Sequence, residues 1–553
     1  MLSNFDWIII GFYFLILLSI VFFASRNQKT STDYFLAGRN VGFFAIGASI
    51  FASNIGSEHI IGLAGQGAST GLAMAHYELH AWIVVLLAWI FVPFYYRSKV
   101  FTMPEFLEKR FGQEPRWILS IVSLTAYVLT KVSVTVYAGA LVFETLLPDT
   151  FGSPENAFWI GAISTVTLTG LYTIAGGLRA VLFTDSLQAT ILILGSCAIT
   201  YFGLEKLGGF NELQTFASQN VAQYALWRPL SDPNFPWLGI LIASPIVGIW
   251  YWCTDQYIVQ RTLAAKNLKA ARRGALWGAF LKIWPVLIFL IPGLIGAALN
   301  DKGLLNISTN TDGSLIGDHV FPSMVATLLP EGLRGLVVAG ILAALMSSLS
   351  SLFNSTATLF TFDVYKKLRP MVTDAKLIVI GRIATLVIVI LGLLWIPIMP
   401  MISKGGLYQY LQSVQSYLAP PITAVFLLGL FNNRINNQGA TWGLSIGFIL
   451  GMLKLVIQAF FGAEKISNPT ILSMIGDFNF LYFSGVLFLI SVVIIILVSY
   501  KTNPPDQQKI HGLTFSTIDH EVIRSSWNTK DVVATIIILG LVATLYIYFS
   551  FWI

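Results

Sequence analysis

Ala344, Ser347, Ser348, Ser351, Ser355 and Thr358 recur at spacings of three and four, which puts them on one face of a helix. That face is rich in hydroxyls and carries no charge. Hydroxyls, together with carbonyls released where a helix breaks, supply the several oxygen ligands that a hard cation such as sodium takes, with no need for a carboxylate. The same stripe also suits ordinary small-residue packing with hydroxyls bonding between helices. Two apolar runs carry such breaks. Asn54, Gly56, Ser57, Glu58 and His59 interrupt the run that begins at Ala48, and Pro245 and Gly248 interrupt Ile240 to Trp252. Glu78, His80, Lys131, Asp185, Lys282, Arg382 and Lys454 are ionisable residues inside apolar runs, where charge is costly and functional by default. Glu78 and Lys282 lie near the middles of theirs. Their opposite charges either neutralise each other across a cavity or form a purely structural pair, while Lys131, Arg382 and Lys454 fit snorkelling or structural pairing.

The elements that must position these residues are membrane spans. The 553 residues are 56% hydrophobic and 11% charged, with a mean hydropathy of +0.74, far from soluble domains. Apolar stretches of roughly 20 residues, enough to cross ~30 Å of hydrocarbon, recur along the chain. Fourteen are expected, near 5–25, 43–66, 73–96, 117–147, 157–175, 180–203, 236–258, 271–299, 332–364, 377–400, 406–431, 436–462, 478–500 and 531–552. The first lacks the basic flank and cleavage site of a signal peptide. With the loops alternated, Lys206, Arg228, Lys302, Arg334, Lys404 and Lys465 are the basic residues of one side, and the other loop lysines and arginines fall opposite. The positive-inside rule makes the basic side cytoplasmic and puts both termini outside. The net charge of +6 thus reports topology, and nucleic acid is not an expected partner.

Irregular backbone at membrane depth survives where it lines a cavity, although Gly and Pro also merely kink membrane helices. With 5–25 as a peripheral first helix, the two broken spans open two consecutive five-helix units, 43–203 and 236–431, followed by additional helices over 436–553. That is the pattern of an inverted-repeat transporter with its site at the midplane. Other chemistry finds less support. His76 and His80 share a helical face but lack the HExxH order and an evident third ligand. Gly65, Gly67 and Gly71 lack the strand of a dinucleotide loop. The chain has no Gly-Lys-Ser/Thr phosphate loop for an ATP-driven pump. Cys197 and Cys253 sit in apolar stretches, consistent with packing. The expectation is an all-α membrane protein that moves a small polar solute, not an enzyme.

Several segments carry a resemblance: Asp33-Tyr-Phe-Leu-Ala-Gly-Arg39, Ala48-Ser-Ile-Phe-Ala-Ser-Asn-Ile-Gly-Ser57, Ile61-Gly-Leu-Ala-Gly65, Thr102-Met-Pro-Glu105, Trp250-Tyr-Trp-Cys-Thr-Asp-Gln256 and Leu342-Ala-Ala-Leu-Met-Ser-Ser348. With these the chain resembles the sodium/solute symporter family, and within it the sodium/glucose cotransporter branch, over essentially its whole length. The resemblance implies a fourteen-helix form of the five-plus-five inverted-repeat fold, a sodium-driven symporter importing a monosaccharide such as glucose or galactose, sodium as coupling ion and no organic cofactor. It implies a sodium site at the carbonyls of Ala52, Ile55 and Ala344 and the hydroxyls of Ser347 and Ser348. Some relatives have a second sodium site, whose pattern is matched by Ser53, Asp185, Ser350 and Ser351. For the solute it implies Asn54, His59, Glu78, Tyr251, Trp252, Lys282 and Gln412, with Tyr251 as an inner gate. Amides, a carboxylate, an ammonium and an imidazole suit hydroxyls, and aromatic faces suit the C–H face of a sugar ring. Two departures bear on selectivity. Leu79 and His80 follow Glu78 where the branch usually has Trp, and Ser57-Glu-His59 also occurs in myo-inositol carriers, so a sodium/polyol symporter is the alternative substrate reading. The long cysteine-bearing outer loop of animal members is missing between about Asp301 and Phe321, which points to a bacterial inner membrane. A membrane solute sensor is the rival from another class, set back by the shortness of the segment from Lys501 to Lys530.

Overall fold

The computed structural model describes residues 2–26, 28–310, 313–395, 397, 407–461, 470–518 and 520–553. Among them all regular structure is helical, with extended pairing confined to three isolated bridges. The helices used below are α1 (Asn4–Ala24), α2 (Phe43–Asn54), α3 (Ala64–Thr70), α4 (Gln113–Ala126), α5 (Ser133–Leu146), α6 (Pro154–Leu207), α7 (Trp237–Ile249), α8 (Gln256–Leu263), α9 (Leu268–Leu281), α10 (Ile291–Asp301), α11 (Leu333–Leu359), α12 (Asp374–Trp395), α13 (Leu407–Phe431), α14 (Asn437–Phe461), α15 (Phe480–Lys501) and α16 (Thr529–Ser550). Eleven helical stretches of the described residues are long and apolar enough to cross a membrane. One of them, Glu58–Ser98, holds the end of the second expected span and all of the third; another, Pro154–Leu207, holds the fifth and sixth. With the shorter α2 and α5, every one of the fourteen expected spans has a helical counterpart. Residues 396, 398–400, 406 and 462, at the ends of three of those spans, lie outside the described residues, as do Lys404 and Lys465.

At 54 residues, α6 would be about 80 Å long if straight, more than twice the hydrocarbon thickness. Gly177 divides it, at φ 52° and ψ −157°. On one side of Gly177, Tyr172 donates its hydroxyl to Met346 O at 2.9 Å; on the other, Asp185 accepts from Ser347 at 2.6 Å. Those positions would lie about 20 Å apart along an unbroken helix, yet they reach neighbouring residues of α11. The chain therefore doubles back at Gly177, giving the two spans expected at 157–175 and 180–203. A side chain here would sit in the left-handed region with its Cβ 2.5 Å from Tyr34 O.

The two breaks that position the site have separate local causes. Helix α2 stops at Asn54 because Ile55 turns to φ −90°, ψ 90°, and the chain resumes as a π-turn over Glu58–Leu63 that leads into α3. In the seventh span Pro245 lies inside α7 and takes an amide out of the helical ladder. A π-turn over Trp250–Thr254 follows and ends at extended Asp255, which caps α8 by accepting from Tyr257 N. Both are departures that membrane helices keep where they line a cavity. Helix α2 packs backbone to backbone on α9: a methyl on Gly47 would stand 2.6 Å from Gly274 O, and one on Gly274 would stand 2.5 Å from the Ile46 side chain. Small residues permit this approach in lipid, where the hydrophobic effect does not hold helices together. Helix α1 flanks the bundle and is fastened by buried Asp6, which accepts from Gly332 N at 2.7 Å and Gly335 N at 2.8 Å at the start of α11.

Charged residues assigned to one side by the loop alternation meet at one end of the bundle. Arg39 donates to Lys99 O and Val100 O, Lys109 to Ser98 O and Arg434 to Thr502 O. Arg116 joins Glu108 to Asp363 at the end of the α11 span, and Lys367 pairs with the other Glu108 oxygen. Burial raises the Glu108 carboxyl, but the hydrogen bonds and charges of Lys367 and Arg116 outweigh it and hold the group below its ordinary range.

Two predictions follow from this architecture. Gly177→Ala should destabilise the detergent-solubilised protein by at least about 1 kcal/mol, the cost of a left-handed non-glycine residue. It should appear as a lower unfolding temperature than that of Gly11→Ala, a site where an added methyl meets nothing within 4 Å; equal temperatures would refute the turn at Gly177. Because the folded Glu108 value is depressed, its contribution is complete above the unfolded value of about 4.3 and fades as pH falls through the folded one. The gap in unfolding temperature between wild type and Glu108→Gln should therefore narrow on acidification, and a gap constant with pH would contradict the pairing.

Candidate functional site

The last turn of α2 leaves carbonyls without helical partners, and the hydroxyl stripe of α11 lies against it. Ser348 Oγ donates to Ser53 O at 3.1 Å, and the Tyr257 hydroxyl of α8 donates to the same oxygen. Ser53 Oγ is 2.8 Å from Ser351 Oγ. Asp185, fully buried on the second half of α6, accepts from Ser49 at 2.5 Å, Ser347 at 2.6 Å and Ser53 at 3.3 Å. Ala52, Ile55 and Ala344 are buried at the same junction. The structure thus gathers Ser53, Asp185, Ser347, Ser348 and Ser351 into one cluster of oxygen atoms. Ser350 is turned differently, donating to Ser347 O of its own helix. Neutral oxygens with one carboxylate are the donor set that a monovalent hard cation takes. Arg261 of α8 stands beside the cluster, its Nε 3.4 Å from Ser49 Oγ. Farther along the stripe, Ser355 and Thr358 bond to Gln260 of α8, so these hydroxyls join helices.

One residue beyond Ser53, Asn54 faces the other way, into a cavity. Asn54, His59, Glu78, Tyr251, Trp252, Lys282 and Gln412, all picked out from the sequence, line it together. Lys282, just past α9, donates to Asn54 Oδ1 at 2.8 Å and to Glu78 Oε2 at 2.5 Å. Asn54 Nδ2 donates to the Tyr251 hydroxyl at 3.1 Å and lies 3.5 Å from His59 Nε2. The charges of Glu78 and Lys282 therefore do meet, across a cavity and with further polar partners. The Lys282 ammonium also sits 5.4 Å from the Trp252 ring centroid.

Tyr77, Tyr257 and Tyr408 line the cavity without having been singled out in the sequence, and Glu58, His80 and Lys131, noted there only as polar or ionisable residues in apolar runs, join them. Tyr408 donates to Glu78 Oε1 at 2.6 Å; it stands one helical turn before Gln412, a spacing that could have pointed to it. Glu58, Tyr77, His80, Lys131 and Tyr257 complete much of the wall. Lys131 is structurally paired: its ammonium bonds Asp255, as does the Tyr127 hydroxyl, and it lies 4.7–5.1 Å from the ring centroids of Tyr127, Trp250, Tyr251 and Tyr257. Leu79 is wholly buried and is not among the residues that line this cavity, whereas His80 borders it with Nε2 2.6 Å from Ser244 Oγ. His76 engages Leu226 O instead, so the two histidines face different partners. Lys454 donates to Ile475 O and Gly476 O, and Cys197 is on the outer surface.

The sequence and the fold both have relatives. A family model described as the sodium:solute symporter family matches residues 34–447. The sodium/glucose cotransporter 4 of Danio rerio is 38% identical over 541 residues, covering 93% of this chain and 81% of its own length. The sodium/myo-inositol cotransporter 2 of Homo sapiens is 38% identical over 547 residues, covering 94% and 80%. Among solved structures, a substrate-bound, outward-open Na+-coupled sialic acid symporter superposes with a TM-score of 0.74 at 22% identity over 91% of this chain and 99% of its own. At that identity the likeness establishes the fold.

The buried Glu78–Lys282 pair generates a prediction about stability alone. Lys282→Met leaves Glu78 uncompensated and should cost about 3–5 kcal/mol, whereas Lys282→Met with Glu78→Leu should cost clearly less. Unfolding temperatures of the wild type, Lys282→Met, Glu78→Leu and the double variant measure this, and a double variant as unstable as the sum of the single ones would show the charges to be independent.

Proposed function

The chain belongs to the sodium:solute symporter family, and from that membership we propose that it is a sodium-coupled symporter of a sugar or polyol, a multi-pass membrane transporter and not an enzyme. One observation supports this most directly. Adjacent residues at a single helix end, Ser53 and Asn54, belong respectively to the oxygen cluster against α11 and to the polar cavity. In this reading the carbonyls of Ala52, Ile55 and Ala344 with the hydroxyls of Ser347 and Ser348 hold one sodium, and Ser53, Asp185, Ser350 and Ser351 belong to a second. Asn54, His59, Glu78, Tyr251, Trp252, Lys282 and Gln412 hold the solute, a hexose such as glucose or galactose or a cyclitol. The units 43–203 and 236–431 form the two inverted repeats, α1 stands outside them, and 436–553 supplies the remaining helices. The protein sits in a bacterial inner membrane with the basic end of the bundle inward and both termini outward.

Sodium at the end of α2 fixes that end against α11 and sets the position of Asn54. The solute then completes the cavity, and the broken helices rock to expose both to the inside. Release of sodium to the low-sodium side withdraws the ligand that held the junction, and the solute follows. Each sodium moved down an inside-negative potential contributes about 2.3 kcal/mol per 100 mV.

The test is uptake of labelled glucose, galactose and myo-inositol into proteoliposomes under an inward sodium gradient, with potassium in its place as control. Accumulation of at least one solute with sodium only, steepened by an inside-negative diffusion potential, is expected; equal uptake in potassium would overturn the coupling. Ser348→Ala removes one proposed sodium ligand and should raise the sodium concentration for half-maximal uptake about tenfold, the worth of one hydrogen-bond-scale contact.

A further inference from the structure

Another cavity, of about 860 Å³, lies between α9, α16 and the start of α2 and shares no lining residue with the first. Its two long walls carry the same order of residues. Along α9, Arg273, Trp277 and Phe280 follow at spacings of four and three, and along α16 Lys530, Ala534 and Ile537 do the same, so each set shares one helical face. The beginnings of the two helices, both on the basic side, are joined where Arg273 Nε donates to Asp531 Oδ1 at 2.6 Å. The cavity thus passes from cations, past an indole, to apolar side chains about 10 Å further along the helices.

Its charged end is not neutralised from within. Asp531 is taken up by Arg273 and by Asn528 N, which donates to Oδ2 at 3.0 Å. Among the described residues Lys530 forms no ion pair, and neither does wholly buried Arg272, which donates to Ala88 O and Ser526 Oγ. Deeper in, the Trp277 ring stacks on Phe280 at 5.5 Å, and its Nε1 is buried without an acceptor, which is unfavourable. Phe43 and Ile537, 47% and 52% exposed, open this side of the cavity to the surroundings of the bundle, which at membrane depth are lipid.

A soluble anion would satisfy the cations and leave the apolar length empty. The apolar face of a partner helix would fill that length and leave Lys530 and Trp277 Nε1 unmet. A phospholipid carries a phosphate, then ester carbonyls that only accept, then hydrocarbon, in the order of the walls. A net positive pocket between helices on the basic side further favours a headgroup with net negative charge. We infer that this cavity binds one anionic phospholipid of the leaflet on the basic side, with its phosphate at Arg273 and Lys530, an ester carbonyl at Trp277 Nε1 and an acyl chain between Phe280 and Ile537.

The experiment is native mass spectrometry of the full chain in detergent, titrated with phosphatidylglycerol or with phosphatidylcholine of the same acyl chains. Wild type should retain one phosphatidylglycerol about tenfold or more tightly than phosphatidylcholine. Lys530→Gln should weaken retention of phosphatidylglycerol about tenfold, the scale of one charge-assisted hydrogen bond, and leave phosphatidylcholine unchanged. Ala534→Phe fills the apolar length without altering a charge and should block both lipids, while Lys501→Gln, a cation that does not line the cavity, should change neither. Unfolding temperatures in detergent alone check the folding of each variant, and Lys530 is exposed, so its variant tests the site even where Ala534→Phe does not fold. Equal retention of the two lipids by wild type overturns the inference with no variant needed. Retention of phosphatidylglycerol unchanged in Lys530→Gln, or in folded Ala534→Phe, overturns it as well. None of these outcomes bears on the symport reading.

Discussion

The termination of α2 at Asn54, in the middle of a buried bundle, is the constraint around which the rest is arranged. A helix end in an apolar interior leaves carbonyls that must find partners. Here the partners come from the hydroxyl face of α11 and from Tyr257. Because side chains at consecutive positions diverge around a helix, Ser53 and Asn54 serve different surroundings from one point. A ligand that moves the end of α2 on the oxygen side must move Asn54 on the cavity side. Coupling of an ion to a solute then requires no relay through the protein, only that both act on the same two residues.

The polar groups of the cavity are also what keeps its walls in place. Glu78 and Lys282 would each be costly to bury alone, and their pairing is favourable because Asn54 and Tyr408 meet the remaining bonding capacity. Another part of the wall repeats this logic with Lys131, Asp255 and Tyr127 beside a set of aromatic rings. Asp255 is at once the cap of α8 and the partner of Lys131, so the break in the seventh span is tied to the fourth. Both ion pairs that border the cavity, Glu78–Lys282 and Lys131–Asp255, thus stand where helices are interrupted or end.

Much of this was legible in the residues themselves. The spacing of Ser347, Ser348 and Ser351, the polar interruption at 54–59 and the opposed charges at Glu78 and Lys282 are local or simple signals, and they correspond to the oxygen cluster and the cavity. What escaped depends on pairings over long separations. Lys131 is 124 residues from Asp255, and nothing in either segment says that they meet. Tyr408 looks like any aromatic residue of an apolar helix until Glu78 is placed beside it. Ser350, of the proposed second cation set, donates its hydroxyl to Ser347 O of its own helix, a bond that residue type alone does not reveal. The reversal at Gly177 shows in the sequence only as a loop between two spans, and its sharpness depends on Tyr34 arriving from another part of the chain.

The glycine contact between α2 and α9 bears on motion. With Gly47, Gly274 and Gly278 pressed against Trp277, Ile46 and Ile50 of the opposing helix, the two helices interlock, and dense packing resists sliding. The helix that ends at Asn54 and the helix that leads to Lys282 therefore swing together as one lever arm. In the rocking motion proposed above, Asn54 and Lys282 then belong to one rigid piece, while Tyr251 and Gln412 are carried by other helices. A solute held between the two sets would bridge a joint, and its grip would change with the joint's angle.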